Sequence, residues 1–329
     1  MALPAQKADE PPTIDREASF TAAGRFPAKL LQQPVVQDGR IVPYHVQLNP
    51  TNACNLNCPF CSCSDRERSL SVALPEMAEM IAMFRNLGTR AATITGGGEP
   101  LMYPDLNAML LICNELGIET GLVTNGTLLD RLEERPTWVR ISFADYRAMD
   151  DDFTRRVESA VAQLPGIDWS FSYVLGKTPE VANIVRLVSF AADYGFTHVR
   201  LVSDLLDLAA VPNMSKIRSL LQGVPGEPLV IYQGRKEYTR GRRRCLISLA
   251  KPVVGADGNL YPCCGTQYAL DPAPRDYAAI MRMGHWTQMP DILGMQRHFN
   301  GSICSRCYYE DYNTTLELMT KPVAHGAFI

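Results

Sequence analysis

The sequence lacks an excess of either charge: 32 Lys plus Arg stand against 35 Asp plus Glu in 329 residues, a formal net charge of −3. That balance gives no global reason to expect nucleic acid or a membrane as partner, so any electrostatic recognition must be local. Long apolar runs are missing too. No stretch approaches the length of a transmembrane helix, and the N-terminal MALPAQKADEPPTIDREASF holds no apolar segment like that of a signal peptide. The expected location is the cytoplasm. No internal repeat of solenoid length is visible. What remains, 46% hydrophobic, is the composition of an ordinary globular protein with enough apolar material for a sizeable core.

Cysteine, by contrast, is plentiful. Ten cysteines are unusual for a reducing compartment, where structural disulfides are rare and clustered thiols more often bind metal. Cys54, Cys58, Cys61 and Cys63 share one short stretch; Cys245, Cys263, Cys264, Cys304 and Cys307 lie in the last third, and Cys113 stands alone. Two groups imply two sites.

Residues 1–44 are rich in Pro and Ala and read as an extended arm with one short helix around Ala18 to Leu31. From His45 onward short β-branched runs alternate with longer helical ones, the pattern of βα units and a parallel sheet. Strands are predicted near 45–49, 91–95, 119–123, 138–142, 169–174 and 197–202. Between them, segments such as PEMAEMIAMFRNLG, LNAMLLICNELG and VANIVRLVSFAADYG space apolar residues by three and four, as amphipathic helices do. The predicted fold is α/β: a partial (βα)6 TIM-type barrel over 45–224, whose chemistry belongs at the C-terminal ends of its strands. After about residue 224 a Gly/Pro-rich segment, a basic stretch and short strands with cysteines mark a second, small α+β domain over 225–329.

The first motif is Cys54-Asn-Leu-Asn-Cys58-Pro-Phe-Cys61, directly after the strand HVQLN. Three thiolates on one loop can hold three corners of a cubane cluster and leave the fourth iron open. A structural zinc site with Cys63 as fourth ligand is equally compatible with the spacing. A second motif, Thr95-Gly96-Gly97-Gly98-Glu99-Pro100, ends the second strand. Its glycines allow close backbone approach to a ligand, though Gly-rich strand ends are common and Glu99 could simply be solvated.

Together CNLNCPFC and GGGEP resemble the CxxxCxxC signature and the GGE element of the radical S-adenosylmethionine (SAM) superfamily. The resemblance implies that Cys54, Cys58 and Cys61 ligate a [4Fe–4S] cluster whose open iron is chelated by the amino and carboxylate groups of SAM. It places Phe60 near the adenine and Gly97, Gly98 and Glu99 at the methionine. By the same resemblance Thr124, Asn125 and Ser142, at the ends of the third and fourth strands, are polar groups near the cofactor. Turn or capping roles explain them equally well. Leu201 and Val202 on the sixth strand either border adenine or belong to the core.

The third constellation is Cys245, then Gly258-Asn-Leu-Tyr-Pro-Cys263, then Cys304-Ser-Arg-Cys307. Four cysteines from three segments suit zinc or a fully ligated four-iron cluster. Their order resembles the SPASM/Twitch extension of radical SAM enzymes. With no cysteine after Cys307, it is similar to the shorter Twitch form with one auxiliary cluster. The resemblance thus implies two [4Fe–4S] clusters, SAM, and an external electron donor such as flavodoxin or ferredoxin.

Three local features bear on the substrate. The run from Arg235 to Arg244 carries six basic side chains, read either as a solvated face or as an anion pocket formed by Arg242, Arg243 and Arg244. Cys264, surplus to the ligand set, is either a spare buried thiol or a hydrogen-atom donor. Asp145 and Tyr146 follow the fourth strand, where they could meet substrate or solvent. The mechanism implied by the resemblance is reductive cleavage of SAM to a 5′-deoxyadenosyl radical that abstracts hydrogen from a small polar substrate: a sugar, aminocyclitol or nucleotide derivative. Oxidation of an alcohol with the auxiliary cluster as acceptor is expected ahead of epimerisation through Cys264. Modification of a ribosomal peptide is a further option, and an iron–sulfur electron carrier or zinc-stabilised module is the alternative outside enzymes.

Overall fold

A computed structural model of the chain describes residues 28–207, 213–233, 238–271, 276–322 and 324. Of the arm helix expected around Ala18 to Leu31, the described part is a short helix Ala28–Gln32; residues 1–27 lie outside the described residues. Two short strands follow, β1 (Val36–Gln37) and β2 (Arg40–Ile41), paired antiparallel. Their turn is Asp38-Gly39 with φ of 49° and 73°, and this left-handed pair is what an Asp-Gly hairpin turn supplies.

Six parallel strands occupy the predicted places: β3 (His45–Leu48), β4 (Ala91–Ile94), β5 (Glu119–Thr124), β6 (Trp138–Ala144), β7 (Asp168–Leu175) and β8 (His198–Ser203). A seventh, β9 (Val230–Gln233), pairs parallel with β8. The parallel sheet therefore runs past residue 224, and a boundary there would separate two hydrogen-bonded strands. On the other side β10 (Val253–Val254) pairs parallel with β3, and β11 (Asn259–Tyr261) and β12 (Gly284–His285) continue antiparallel. The order is β12-β11-β10-β3-β4-β5-β6-β7-β8-β9, an open, partial barrel.

Helices Leu74–Asn86, Leu106–Glu115, Asp151–Gln163, Val181–Asp193 and Met214–Leu221 follow β3, β4, β6, β7 and β8, while β5 and β6 are joined through a single 3-10 turn, Leu129–Arg131. Helix Asp151–Gln163 shows how sequence sets such an element. Asp150 caps it by accepting from Phe153 N at 2.8 Å, and Phe153, Val157 and Ala160 form its buried stripe.

Strand alternation separates the two faces of the sheet. Val139, Ile141 and Phe143 of β6 are buried outward against the helices, with the Phe143 ring 5.1 Å from Phe153. Phe171 of β7 meets Phe190 and stacks on Phe196 at 4.6 Å. Burying each such side chain contributes about 1.5–3 kcal/mol. The intervening residues Arg140, Ser142, Ser170, Ser172, Arg200 and Val202 consequently face the barrel lumen. Among the described residues no helix is long and apolar enough to cross a membrane.

Candidate active site

The loop after β3 carries the first cysteine set. Cys61 N donates to Cys58 O (3.1 Å) and Ser64 N to Cys61 O (3.2 Å), so the segment turns tightly on itself. Two arginines that the sequence reading passed over anchor it. Arg66 donates from Nε to Asn52 O (2.8 Å) and from Nη1 to Cys61 Sγ (3.5 Å). Arg68 reaches Cys54 O (3.3 Å) and Asn57 Oδ1 (3.1 Å). Burial raises the Cys58 thiol pKa, and Cys61 and Cys54 act in the same direction, which puts the three thiols within electrostatic reach of one another.

Cys63 lies within electrostatic reach of Cys61 and has partners outside the loop as well. It is buried, with Sγ 4.0 Å from Gly96 O and accepting from Gln267 Nε2 at 3.3 Å. Among the described residues no group of three or more His, Cys, Asp or Glu side chains is gathered tightly enough to hold a single metal ion. Three thiols on one loop suit a cluster that keeps one iron open.

The glycine run after β4 lies directly on this loop. A Cβ at Gly97 would come within 2.0 Å of Asn52 Oδ1, and one at Gly98 within 2.0 Å of Ala53 O. Gly98 N and Glu99 N donate to Thr51 O (3.1 Å) and Ala53 O (2.7 Å). Close backbone approach is required here, as expected, but the first neighbour approached is the cysteine loop itself.

The Glu99 side chain is engaged within the protein. Its buried carboxylate accepts from Leu101 N (3.1 Å), Thr124 Oγ1 (2.6 Å) and Asn125 N (2.7 Å). Glu99 and Thr124 thus lock the end of β4 to the end of β5 instead of presenting free polar groups. Asn125 reaches the cysteine loop, donating from Nδ2 to Asn55 Oδ1 at 2.9 Å. Ser142 faces the lumen, and its carbonyl, like that of Asn125, accepts from Arg147 Nη1 (3.3 and 2.8 Å). Arg147, also missed in the sequence, lies over the Phe143 and Phe153 rings at 4.8 and 5.0 Å. Leu201 is fully buried in the outer core, so only its backbone could border a ligand, whereas Val202 is half-buried on the lumen face.

Asp145 and Tyr146, read as facing substrate or solvent, both have partners within the protein. Asp145 accepts from Tyr173 Oη (2.7 Å), Gly176 N (2.6 Å) and Glu180 N (3.0 Å), bracing the end of β7. Tyr146 Oη lies 2.8 Å from Cys58 Sγ, and its ring is 5.5 Å from that of Phe60. Phe60 is therefore held at the first cysteine loop by an aromatic partner.

The second cysteine set converges. Cys245, Cys263, Cys304 and Cys307, from three separate segments, line one cavity together with Tyr268 and Tyr309. Two glycines allow these segments to cross. A Cβ at Gly241 would meet Gly301 O at 2.1 Å and Cys304 Cβ at 2.9 Å, and one at Gly301 would meet Arg242 O at 2.8 Å. Burial raises the Cys245 pKa to about 12, with Cys307 and Cys304 adding to it, as neighbouring thiols do. Cys264 lines no part of this cavity. Its Sγ is 2.9 Å from Tyr309 Oη and within electrostatic reach of the lumen residues Arg140 and Arg200.

At the basic run, read as a solvated face or an anion pocket, two of the described arginines are paired with acids. Arg242 pairs with Glu310 and with Glu317 (3.0 Å), and Arg244 with Glu317 (3.5 Å), acids of the helix Glu310–Met319. Arg243 is exposed. Arg235 and Lys236 lie outside the described residues.

With this geometry in view, comparison with known proteins is decisive on one point: the Radical SAM superfamily matches residues 48–159, the stretch bearing both the cysteine loop and the glycine run. This chain carries a radical SAM domain. The family implies SAM and a [4Fe–4S] cluster, and the three-thiol loop suits them. A GTP 3′,8-cyclase of Chlorobaculum tepidum is 38% identical over 96 residues, covering 28% of this chain and 28% of the relative. A Staphylococcus aureus GTP 3′,8-cyclase is 36% identical over the same length. The chain thus spans little more than a quarter of the curated relatives it matches. In fold it is similar to Streptococcus suis SuiB bound to the precursor peptide SuiA, with TM-score 0.56, 15% identity, and coverage of 89% of this chain and 76% of that one. Another SuiB structure holds S-adenosylmethionine.

Proposed function

We propose that this radical SAM enzyme works in the cytoplasm on a small polar substrate, a sugar, aminocyclitol or nucleotide derivative, and oxidises one of its alcohols. The observation that supports the reading is the cavity lined by Cys245, Cys263, Cys304 and Cys307, four thiols being the number that a fully ligated [4Fe–4S] cluster needs. When bound, SAM and the first cluster supply a 5′-deoxyadenosyl radical, and a second cluster supplies an electron acceptor. Cys54, Cys58 and Cys61 hold the first cluster; Phe60, Gly97, Gly98, Asn125, Ser142 and Val202 surround SAM, and Glu99 and Thr124 fix the strand ends that carry them. The polar lumen side chains Ser142, Ser172 and Arg200 suit a small hydroxylated molecule. An external donor such as flavodoxin or ferredoxin supplies the first electron.

A second reading, epimerisation, is favoured by Cys264, whose thiol lies outside the cluster cavity and within electrostatic reach of lumen arginines. Turnover in deuterated water separates the two. Oxidation gives a product two hydrogens lighter, free of solvent deuterium, and survives Cys264→Ala. One deuterium at an inverted carbon, lost together with Cys264, would overturn the oxidation reading.

A further inference from the structure

Two guanidinium groups enter the barrel lumen and form no ion pair with an acid among the described residues. Arg140 and Arg200 are the third residues of β6 and β8, on either side of β7, where Arg140 registers with Ser170 and Arg200 with Ser172. Arg140 lies over the Trp138 ring at 5.2 Å, which keeps its planar group inside the barrel. Trp138 in turn sits on Gly121, where a Cβ would come within 2.0 Å of the indole. Arg200 donates from Nη2 to Ser172 Oγ at 3.0 Å, and its Nε is buried without a hydrogen-bond partner among the described residues.

Neither arginine forms an ion pair among the described residues, whereas Arg156, Arg242, Arg244 and Arg306 all do. Burial lowers both pKa values, and for Arg140 the charge of Arg200 adds to the effect. Among the described residues, the neighbours that oppose this lowering are Cys264 and, for Arg200, Tyr308. Placing two like charges in a half-buried space without a counter-ion is costly, and the cost is recovered when an anion arrives. Guanidinium forks are the donors best matched to phosphate and carboxylate.

We propose that Arg140 and Arg200 form an anion subsite in the barrel lumen that receives a phosphate or carboxylate group of the substrate. The orphan Nε of Arg200 and the Ser172 hydroxyl complete its donor set. The proposal rests on the small-substrate reading above and assigns to the lumen the role that the paired Arg242 and Arg244 do not fill.

The test is calorimetric titration of the reconstituted, SAM-loaded protein at low salt with two probes, inorganic pyrophosphate and citrate. At least one should bind, and Arg140→Gln and Arg200→Gln should each weaken it by about tenfold or more, with Arg155→Gln on the outer surface as an unchanged control. Arg140→Lys and Arg200→Lys keep the charge without the fork and should lose less, which separates loss of the subsite from loss of the fold. Pyrophosphate binding identifies a phosphate-bearing substrate, and binding of citrate alone a carboxylate. Absence of binding by both anions, or equal affinity in wild type and both Gln variants, would overturn the subsite. Formation of 5′-deoxyadenosine by the same preparations reports separately on the radical SAM reading.

Discussion

The side-chain amide of Gln267 donates to Cys63 Sγ at 3.3 Å across 204 positions of sequence. This contact ties the segment after Cys263 to the loop that bears Cys54, Cys58 and Cys61, so the two cysteine sets share a structural support.

Cys63→Ala should accordingly leave the iron content unchanged. Replacing Cys54, Cys58 and Cys61 together should remove about half the iron and abolish deoxyadenosine formation. Iron analysis of the two reconstituted variants checks this, and a loss of iron in Cys63→Ala equal to that in the triple variant would restore Cys63 as a ligand.

Gly97→Val and Gly98→Val should do more than weaken SAM binding. A side chain there collides with Asn52 or Ala53 and pushes the cysteine loop away, costing about 1–3 kcal/mol by overpacking. Lower thermal stability and loss of the first cluster are expected together. A variant with full iron, wild-type melting and only SAM affinity reduced would show that the glycines face the cofactor alone.

Arg242→Ala should loosen the helix Glu310–Met319 and leave Glu317 with Arg244 and Lys321 as partners. Because these pairs are partly exposed, the expected loss is only about 0.5–1 kcal/mol and should shrink in salt. Denaturant melts at two ionic strengths measure it, and a raised KM without a change in stability would return Arg242 to substrate binding.

Glu99 gives a pH signature. Burial raises its folded-state pKa above an unfolded value of about 4.3, despite the hydrogen bonds that oppose the shift. The folded state then holds its proton to higher pH, so its contribution to stability is fully present below the unfolded pKa and is lost as pH rises through the folded one. Glu99→Gln should remove that decline while losing one acceptor, at a cost of about 1–3 kcal/mol. Stability profiles from pH 4 to 7 that are parallel for the two proteins would contradict the shift.

Strands β3 to β8 were readable because each is a short β-branched run flanked by helix-period segments. VIYQ of β9 was not, since it follows the GVPGEP break and shows no helix after it. The two cysteine groups were readable as groups, but their spacing alone left zinc and an iron–sulfur cluster equally open, because both are held by clustered thiolates. Partners of Asp145, Glu99 and Arg242 were hidden, because their contacts join residues 25 to 75 positions apart. For the lumen arginines a signal did exist: VRIS and VRLV each set a charge between the outward-facing apolar residues of a parallel strand.

The pairing of β10 with β3 also sets the order in which the molecule can be assembled. Residues 47 and 48 of the first barrel strand wait for residues 253 and 254 to cover them, with Asn49 N bonded to Val254 O at 2.9 Å. On the ribosome that edge stays open until most of the chain has emerged, and such long-range closure is slow. Any fragment that ends before β10 keeps a bare apolar strand edge, a template for pairing with another copy, beside the thiols that must receive iron.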